Sequence, residues 1–390
     1  MTVDLDKAKK RAASAVEGER KRLVETSLAI HEDNELGFKE VRSSARLADL
    51  LKDWGFRVEK PAYGMETAFR AEWGEGPLTI AYFCEYDALP QIGHACGHNL
   101  IATCGAAGAL GLKSALDPSA VRIIVFGSPA EEGGSGKVKM ITGGCLEGVD
   151  VALMAHPSAV DIDTPTMFGV ARLDVDYRGK SAHASAAPEA GVNALDAFMI
   201  GYQAVAALRQ HIRRDARIHG IITEGGAAPN IVPEHTAGRF YVRALHPGYL
   251  EELKERVLNC FRAGGLATGC EFTYVWADDS CDPVRSNKLL AGIYRENAEA
   301  LGRNFIDRAR DISGGSTDMG NVSQLVPSIH PMFGIGGSAM NHTPEFTAEA
   351  AAPQAQEAMI AVGKALAMTG IDLVHKPELV DAAKAELRGM

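Results

Sequence analysis

No apolar run in this sequence reaches the ~20 residues that a membrane-spanning helix needs. The longest near-apolar stretch, Leu100 to Leu112, is shorter and rich in glycine and alanine, a composition that suits a tightly packed core helix. The opening residues, Met1 to Arg22, are charged and lack the apolar centre of a secretory signal, so a cytoplasmic location is expected. A cysteine framework is missing too. The seven cysteines (84, 96, 104, 145, 260, 270 and 281) are odd in number and scattered, which argues for a reducing compartment and leaves Cys96 free for chemistry other than a disulfide. Positive charge is scarce: 50 acidic against 40 basic residues give a formal charge of −10, which excludes nucleic acid and anionic membranes as expected partners. The one dense cationic run, Arg209 to Arg217, reads as a solvated helix end. There is no internal repeat and no low-complexity segment.

At 390 residues the chain is longer than one hydrophobic core usually supports, so two domains are expected. Residues 5 to 31 read as a helix, and Val41 to Trp54 as another that stops at Gly55. Ala68 to Trp73, the turn Gly74-Glu75-Gly76 and Leu78 to Cys84 read as a hairpin. Val121 to Gly127 and Val149 to Ala155 are continuous apolar or β-branched runs, as in strands covered by helices on both faces. From 169 to 281 the rhythm changes to strand, helix, strand, strand, helix, strand, the ferredoxin-like order. Beyond it come a helix from Ser286 to Leu301, a strand near Ile329 to Ile335 and an Ala-rich helix from Thr347 to Met368. The expected fold is α/β: a mixed open-sheet catalytic domain from 1–168 and 282–390, with an inserted ferredoxin-like α+β lid or dimerisation domain at 169–281.

Four polar segments follow predicted core strands: Glu85-Tyr86-Asp87-Ala88-Leu89-Pro90 running into Gly93-His94-Ala95-Cys96-Gly97-His98-Asn99, then Pro129-Ala130-Glu131-Glu132-Gly133-Gly134, His156-Pro157, and Asn341-His342-Thr343-Pro344. Open α/β sheets bind ligands beyond the carboxyl ends of their strands, so these segments are expected to converge. Cys96 and His98, two residues apart, can grip one ion from an extended loop. A thiolate with imidazoles favours zinc or a similar borderline metal over magnesium or calcium. Glu131 and Glu132 would repel one another unless a cation neutralised them. One can bind a metal while the other takes a proton from water and returns it to a leaving amine. Taken singly, Cys96 reads equally as a small core residue, the glutamates as an exposed acidic loop, and His156 and His342 as ordinary histidines.

Taken together, these motifs resemble the family of two-metal zinc peptidases and amidohydrolases that contains the aminoacylases, carboxypeptidase G, hippurate hydrolase and the auxin-conjugate hydrolases. The segments around Glu85 and Cys96, with Gly315-Ser316-Thr317-Asp318-Met319-Gly320-Asn321-Val322-Ser323 and His342-Thr343-Pro344, look closest to the branch holding aminobenzoyl-glutamate hydrolase and β-alanyl-lysine dipeptidase. The resemblance implies that Cys96 bridges two divalent metal ions, zinc foremost, with manganese or cobalt as alternatives. It places His98 and His156 on one ion, Glu132 and His342 on the other, Glu131 as general base, and Asp87 behind a ligand imidazole. It further implies a homodimer formed through the inserted domain, in which His183, within Gly179-Lys180-Ser181-Ala182-His183-Ala184-Ser185, polarises the scissile carbonyl in the partner's site. Asn230 matches a substrate-contacting position. Asn99 departs from the aspartate of the hippurate and auxin-conjugate branches, which implies a different substrate preference and a less tightly held metal.

The expected activity is hydrolysis of the amide bond of a dipeptide or N-acyl amino acid by a metal-activated water. Two other readings compete: a catalytically inactive metal- or small-molecule-binding scaffold, and a hydrolase that uses Cys96 as nucleophile.

Overall fold

A computed structural model of the chain describes residues 5–306 and 315–389; parts of the expected catalytic domain, 1–4, 307–314 and 390, lie outside the described residues. The chain divides into two compact units. One comprises Met1–Thr166, Val284–Ser313 and Asp318–Met390, the other Met167–Pro283 with Gly314–Thr317. In chain order the strands are β1 (Arg57–Glu59), β2 (Phe69–Trp73), β3 (Thr79–Glu85), β4 (Arg122–Ser128), β5 (Val151–Leu153), β6 (His156–Ser158), β7 (Gly169–Arg178), β8 (Ala216–Glu224), β9 (His235–Ala244), β10 (Glu271–Trp276), β11 (Ser328–Ile329) and β12 (Met332–Gly334).

The first unit is built on an open mixed sheet in the order β1-β2-β4-β3-β5-β11. β4, β3, β5 and β11 run parallel, whereas β2 is antiparallel to β4 and β1 to β2. β3 is buried along its whole length, as expected of a central strand covered on both faces. Helix His98–Ala115 is buried almost throughout and lies against Pro353–His375, with Gly363 close to Ala107 and Gly108 close to Leu366. Pro353–His375 is long and apolar enough to cross a membrane by length and composition, yet most of it is buried inside this unit as a core helix.

Several elements differ from the sequence expectation. β2 and β3 do not form a hairpin, because β4 lies between them. The cause is at the turn, where the Glu75 N–H donates to the Pro118 carbonyl at 2.8 Å. Gly74 and Gly76 approach the Val121 backbone so closely that a Cβ on either would fall 2.1 Å from it. The turn therefore packs on the entry to β4 instead of folding on itself. The expected helix over 5 to 31 is two helices, Leu5–Gly18 and Arg20–Asp33, parted beside the poor helix former Gly18. The strand expected near 329 to 335 splits around Pro331, which has no N–H for a ladder. The Ala-rich helix divides into Pro344–Ala350 and Pro353–His375, each opened by a proline preset for a first helical turn, and a further helix, Pro377–Gly389, follows.

In the second unit the strand, helix, strand, strand, helix, strand succession forms an antiparallel sheet in the order β10-β7-β9-β8. β7 alternates buried with more exposed residues, the mark of a sheet with one covered face. Its inward residues, including Leu173, Val175 and Tyr177, share a core with Phe198 of helix Ala194–Leu208 and Phe261 of helix Pro247–Thr268.

Candidate metal centre

The parallel strands of the first unit deliver their polar residues to one end of the sheet. β3 ends at Glu85, with Asp87 two residues on; β4 ends three residues before Glu131; β5 ends three residues before His156. Between Asp87 and helix His98–Ala115 the chain passes through Gly97, whose φ of +73° is left-handed. A Cβ at Gly97 would stand 2.5 Å from Pro157 Cγ, so glycine lets this loop carry Cys96 up to the start of β6. His342 does not directly follow a strand, contrary to expectation. It precedes helix Pro344–Ala350, which Thr343 caps through the Phe346 N–H, and its own N–H donates to the Ala95 carbonyl at 2.8 Å. That bond ties the His342 turn to the Cys96 loop.

The structure brings five side chains together. Cys96 Sγ lies 3.5 Å from His156 Nε2 and 3.4 Å from His342 Nε2. Glu132 reaches His342 Nε2 at 3.5 Å and His98 Nε2 at 3.9 Å. Two groups have their donor atoms within 4.8 Å of one another, Cys96 with His98 and His156, and Cys96 with Glu132 and His342; Cys96 belongs to both. Ring tautomers follow from the partners. His156 Nδ1 faces the Pro157 carbonyl at 2.8 Å and must donate to it, and His98 Nδ1 donates to Asp87 Oδ1 at 2.9 Å. His156 therefore turns an Nε2 lone pair toward the cluster, and His98 does the same in its neutral form. Asp87 uses its other oxygen to accept the Glu132 N–H at 3.0 Å, so one carboxylate orients two of the five.

The donor set fits divalent ions. His98 Nε2 and Glu132 Oε1 are buried and have no hydrogen-bond partner, and a buried polar atom without one costs about 1–3 kcal/mol. Burial, with Glu85 and Glu132 nearby, pushes the Glu131 carboxyl well above its ordinary range, and burial raises Glu132 as well. Burial lowers His156 to about 4, so it is the neutral imidazole that a metal requires. At His98 burial works against protonation, but Asp87 overrides it and draws a proton strongly; a divalent ion answers the same pull. Burial next to Glu132 pushes the Cys96 thiol far up. That environment is wrong for a nucleophilic cysteine, which needs its thiolate stabilised by the protein itself. Thiolate, imidazole and carboxylate together are a borderline-metal set.

Glu131 lies beside this cluster, 4.0 Å from His98 Nε2, and opens the short helix Glu131–Gly134. The Ala130 that precedes it is held left-handed at φ +56°, its N–H bonded to Glu40 Oε1 at 2.8 Å. Asn99 is elsewhere. Its side chain donates to Ser27 Oγ at 3.0 Å and the Ala350 carbonyl at 3.3 Å, so it serves helix packing. His183 and Asn230 are neighbours in the second unit, where both are exposed, His183 bridges to Ile231 and the Ala184 N–H donates to the Asn230 carbonyl. His183 Nδ1 accepts from the Ala186 N–H at 3.2 Å, which leaves Nε2–H as a free-standing donor.

Sequence reasoning passed over two buried groups here. Lys137 is wholly buried and ion-paired to Glu85 and Asp318. His330 is buried 5.5 Å from the His156 ring with neither nitrogen partnered. Its signal was present, since His330-Pro331 follows a strand as His156-Pro157 does.

A family model described as peptidase family M20/M25/M40 matches residues 85–364. The Xaa-Arg dipeptidase of Mus musculus is 41% identical, over 99% of this chain and 93% of its own length. One of the subunits of the p-aminobenzoyl-glutamate hydrolase of Escherichia coli K12 is 27% identical, over 95% of this chain and 93% of its own length. A Bacillus subtilis crystal structure described as a dinuclear metal binding peptidase from the M20 family superposes with a TM-score of 0.73 at 19% identity, covering 92% of this chain and 99% of that one.

Proposed function

The chain belongs to peptidase family M20/M25/M40 and is a metal-dependent hydrolase of amide bonds; on that premise we propose a dipeptidase that prefers a basic residue, arginine foremost, at the carboxyl terminus of its substrate. The preference rests on the relation to Xaa-Arg dipeptidase over nearly the whole chain, and the acidic balance of the protein suits a cationic substrate.

The observation that carries the site assignment is that Cys96 belongs to two three-donor groups at once. In this reading Cys96 is shared between two ions, with His98 and His156 completing one set and Glu132 and His342 the other. Zinc suits the thiolate and imidazoles best; manganese and cobalt are the alternatives. Bound ions supply Lewis acidity toward the attacking water and the scissile carbonyl. Glu131 accepts the proton of that water and delivers it to the departing amine, and its raised proton affinity matches that double duty. Asp87 keeps the His98 ring in the ligating tautomer.

The second unit serves in this reading as a lid and a homodimer contact. His183, with its Nε2–H free to donate, polarises the carbonyl in a partner's site, and Asn230 beside it contacts substrate. The test is a panel of Xaa-Arg, Xaa-Lys, Xaa-Glu and N-acetyl amino acid substrates, assayed before and after chelation and after return of zinc, manganese or cobalt. Cleavage of Xaa-Arg first, lost on chelation and restored by metal, is the expected result. Full activity in chelator would overturn the metal assignment, and preference for Xaa-Glu the substrate assignment.

A further inference from the structure

The carboxylates Glu85, Asp87, Glu131, Glu132 and Asp318 crowd one end of the first unit's sheet. Asp87 is answered by His98 and by the Glu132 N–H, and Glu132 faces Cys96 and His342. Glu85, Glu131 and Asp318 remain, with oxygens within 4.8 Å of one another, a spacing that would suit one more cation. The chain brings its own. Lys137, wholly buried, places Nζ against Glu85 Oε1 and 2.6 Å from Asp318 Oδ1. Its backbone N–H donates to Asp318 Oδ2 at 2.9 Å, so Asp318 grips both ends of the residue. Burial works against the ammonium, but Asp318, Glu85 and Glu131 outweigh it and keep Lys137 charged.

A lysine balancing one buried acid would need one partner. This one has two, Glu85 and Asp318, and acts on Glu131 through them: Glu131 is not ion-paired to Lys137 but stands at the border between two groups, by distance with Glu85 and Asp318 and equally with His98 and Glu132. Without a cation between them, Glu85 and Asp318 would drive Glu131 toward the metals. Resting on the metal-site reading above, we propose that Lys137 is a positioning residue of the hydrolytic site: its ammonium stands in the place of a third metal ion and holds Glu131 beside Glu85 and Asp318, out of the metal-ligand set. The division of labour between Glu131 and Glu132 then comes from Lys137, since both glutamates lie next to His98.

The test uses full-length Lys137→Ala and the double variant Lys137→Met/Asp318→Asn, which removes one cation and one anion together and so keeps the buried charge balanced if the single variant fails to fold. Three quantities are measured: Mn2+ ions bound per chain by reconstituted apoprotein, kcat and KM on an Xaa-Arg dipeptide, and thermal stability. Lys137→Ala is expected to bind one Mn2+ more than wild type. Both variants should lose roughly 100-fold in kcat with KM nearly unchanged, as befits lost positioning of a reacting group. The proposal is overturned if the folded double variant keeps the wild-type kcat, or if Lys137→Ala folds with the wild-type Mn2+ number and the wild-type kcat. Failure of the underlying metal reading looks different, because wild type itself would then keep its activity in chelator.

Discussion

Two clusters lie side by side in the first unit, one of them the proposed metal centre and the other closed by a lysine, and they are built on opposite principles. The pocket of Cys96, His98, Glu132, His156 and His342 leaves donor atoms such as His98 Nε2 and Glu132 Oε1 without hydrogen-bond partners. The neighbouring pocket of Glu85, Asp318 and Glu131 is closed by the ammonium of Lys137, a cation tethered to the backbone that cannot exchange. A buried cluster of acids is costly in either form. On the proposed reading the first pocket accepts that cost so that ions with Lewis acidity can enter; the second removes it with a charge that has none. Reactivity and permanence are thus separated over a few ångströms, with Glu131 between them.

The contrast breaks most severely at Cys96, which both exchangeable groups share. Cys96→Ala should abolish measurable turnover and leave fewer than two ions per chain by elemental analysis, whereas the lysine pocket, intact, should keep the protein folded at room temperature. Two full ions and normal turnover in this variant would remove Cys96 from the centre.

Glu131 comes next. Glu131→Gln should retain its metal and lose roughly 10²–10⁴-fold in kcat, the range for a general acid-base group. Loss of metal in parallel with activity would instead make Glu131 a ligand and erase the division between the two pockets.

What the sequence disclosed follows the same division. Cys96, His98, Glu132 and His156 were legible because each is a donor at the end of an apolar strand or in a glycine-flanked loop, signals that are local in the chain. Lys137 was not. It sits in Gly-Ser-Gly-Lys-Val-Lys-Met, which reads as an exposed helix start, and its partners Glu85 and Asp318 lie 52 and 181 residues away. Lysine is almost never wholly buried unless paired, and no local pattern announces a pair at that distance. The open mixed sheet was legible from its apolar runs, yet the insertion of β4 between β2 and β3 was hidden, because neighbouring strands joined by a short turn look alike whether or not they pair. The place of Asn99 was hidden for the same reason: its partners, Ser27 and the Ala350 carbonyl, are remote in sequence.

A smaller effect is expected one step behind the exchangeable pocket. Asp87 touches no donor that it does not also orient, accepting from His98 Nδ1 and from the Glu132 backbone. Asp87→Asn should weaken metal affinity by about 10–100-fold, the usual consequence of losing a carboxylate behind a ligand imidazole. Isothermal titration with zinc would register this, and an unchanged affinity would show that the ring holds its tautomer without Asp87.

The smallest effect on the site should come from Asn99, although it adjoins His98 in sequence. Helix His98–Ala115 begins at His98, so the next residue points about 100° away around the axis, into the packing with Ser27 and Ala350 rather than toward the Cys96 cluster. Asn99→Asp replaces an NH2 that donates to the Ala350 carbonyl with an oxygen facing an oxygen. The expected cost is about 1–3 kcal/mol of folding stability from the broken buried contact, with metal affinity and kcat unchanged. Chemical denaturation beside a zinc titration separates the two. A tighter metal and an undiminished stability would mean that position 99 addresses the ions after all, and the boundary between the exchangeable pocket and the helix core would have to be drawn one residue further along the chain.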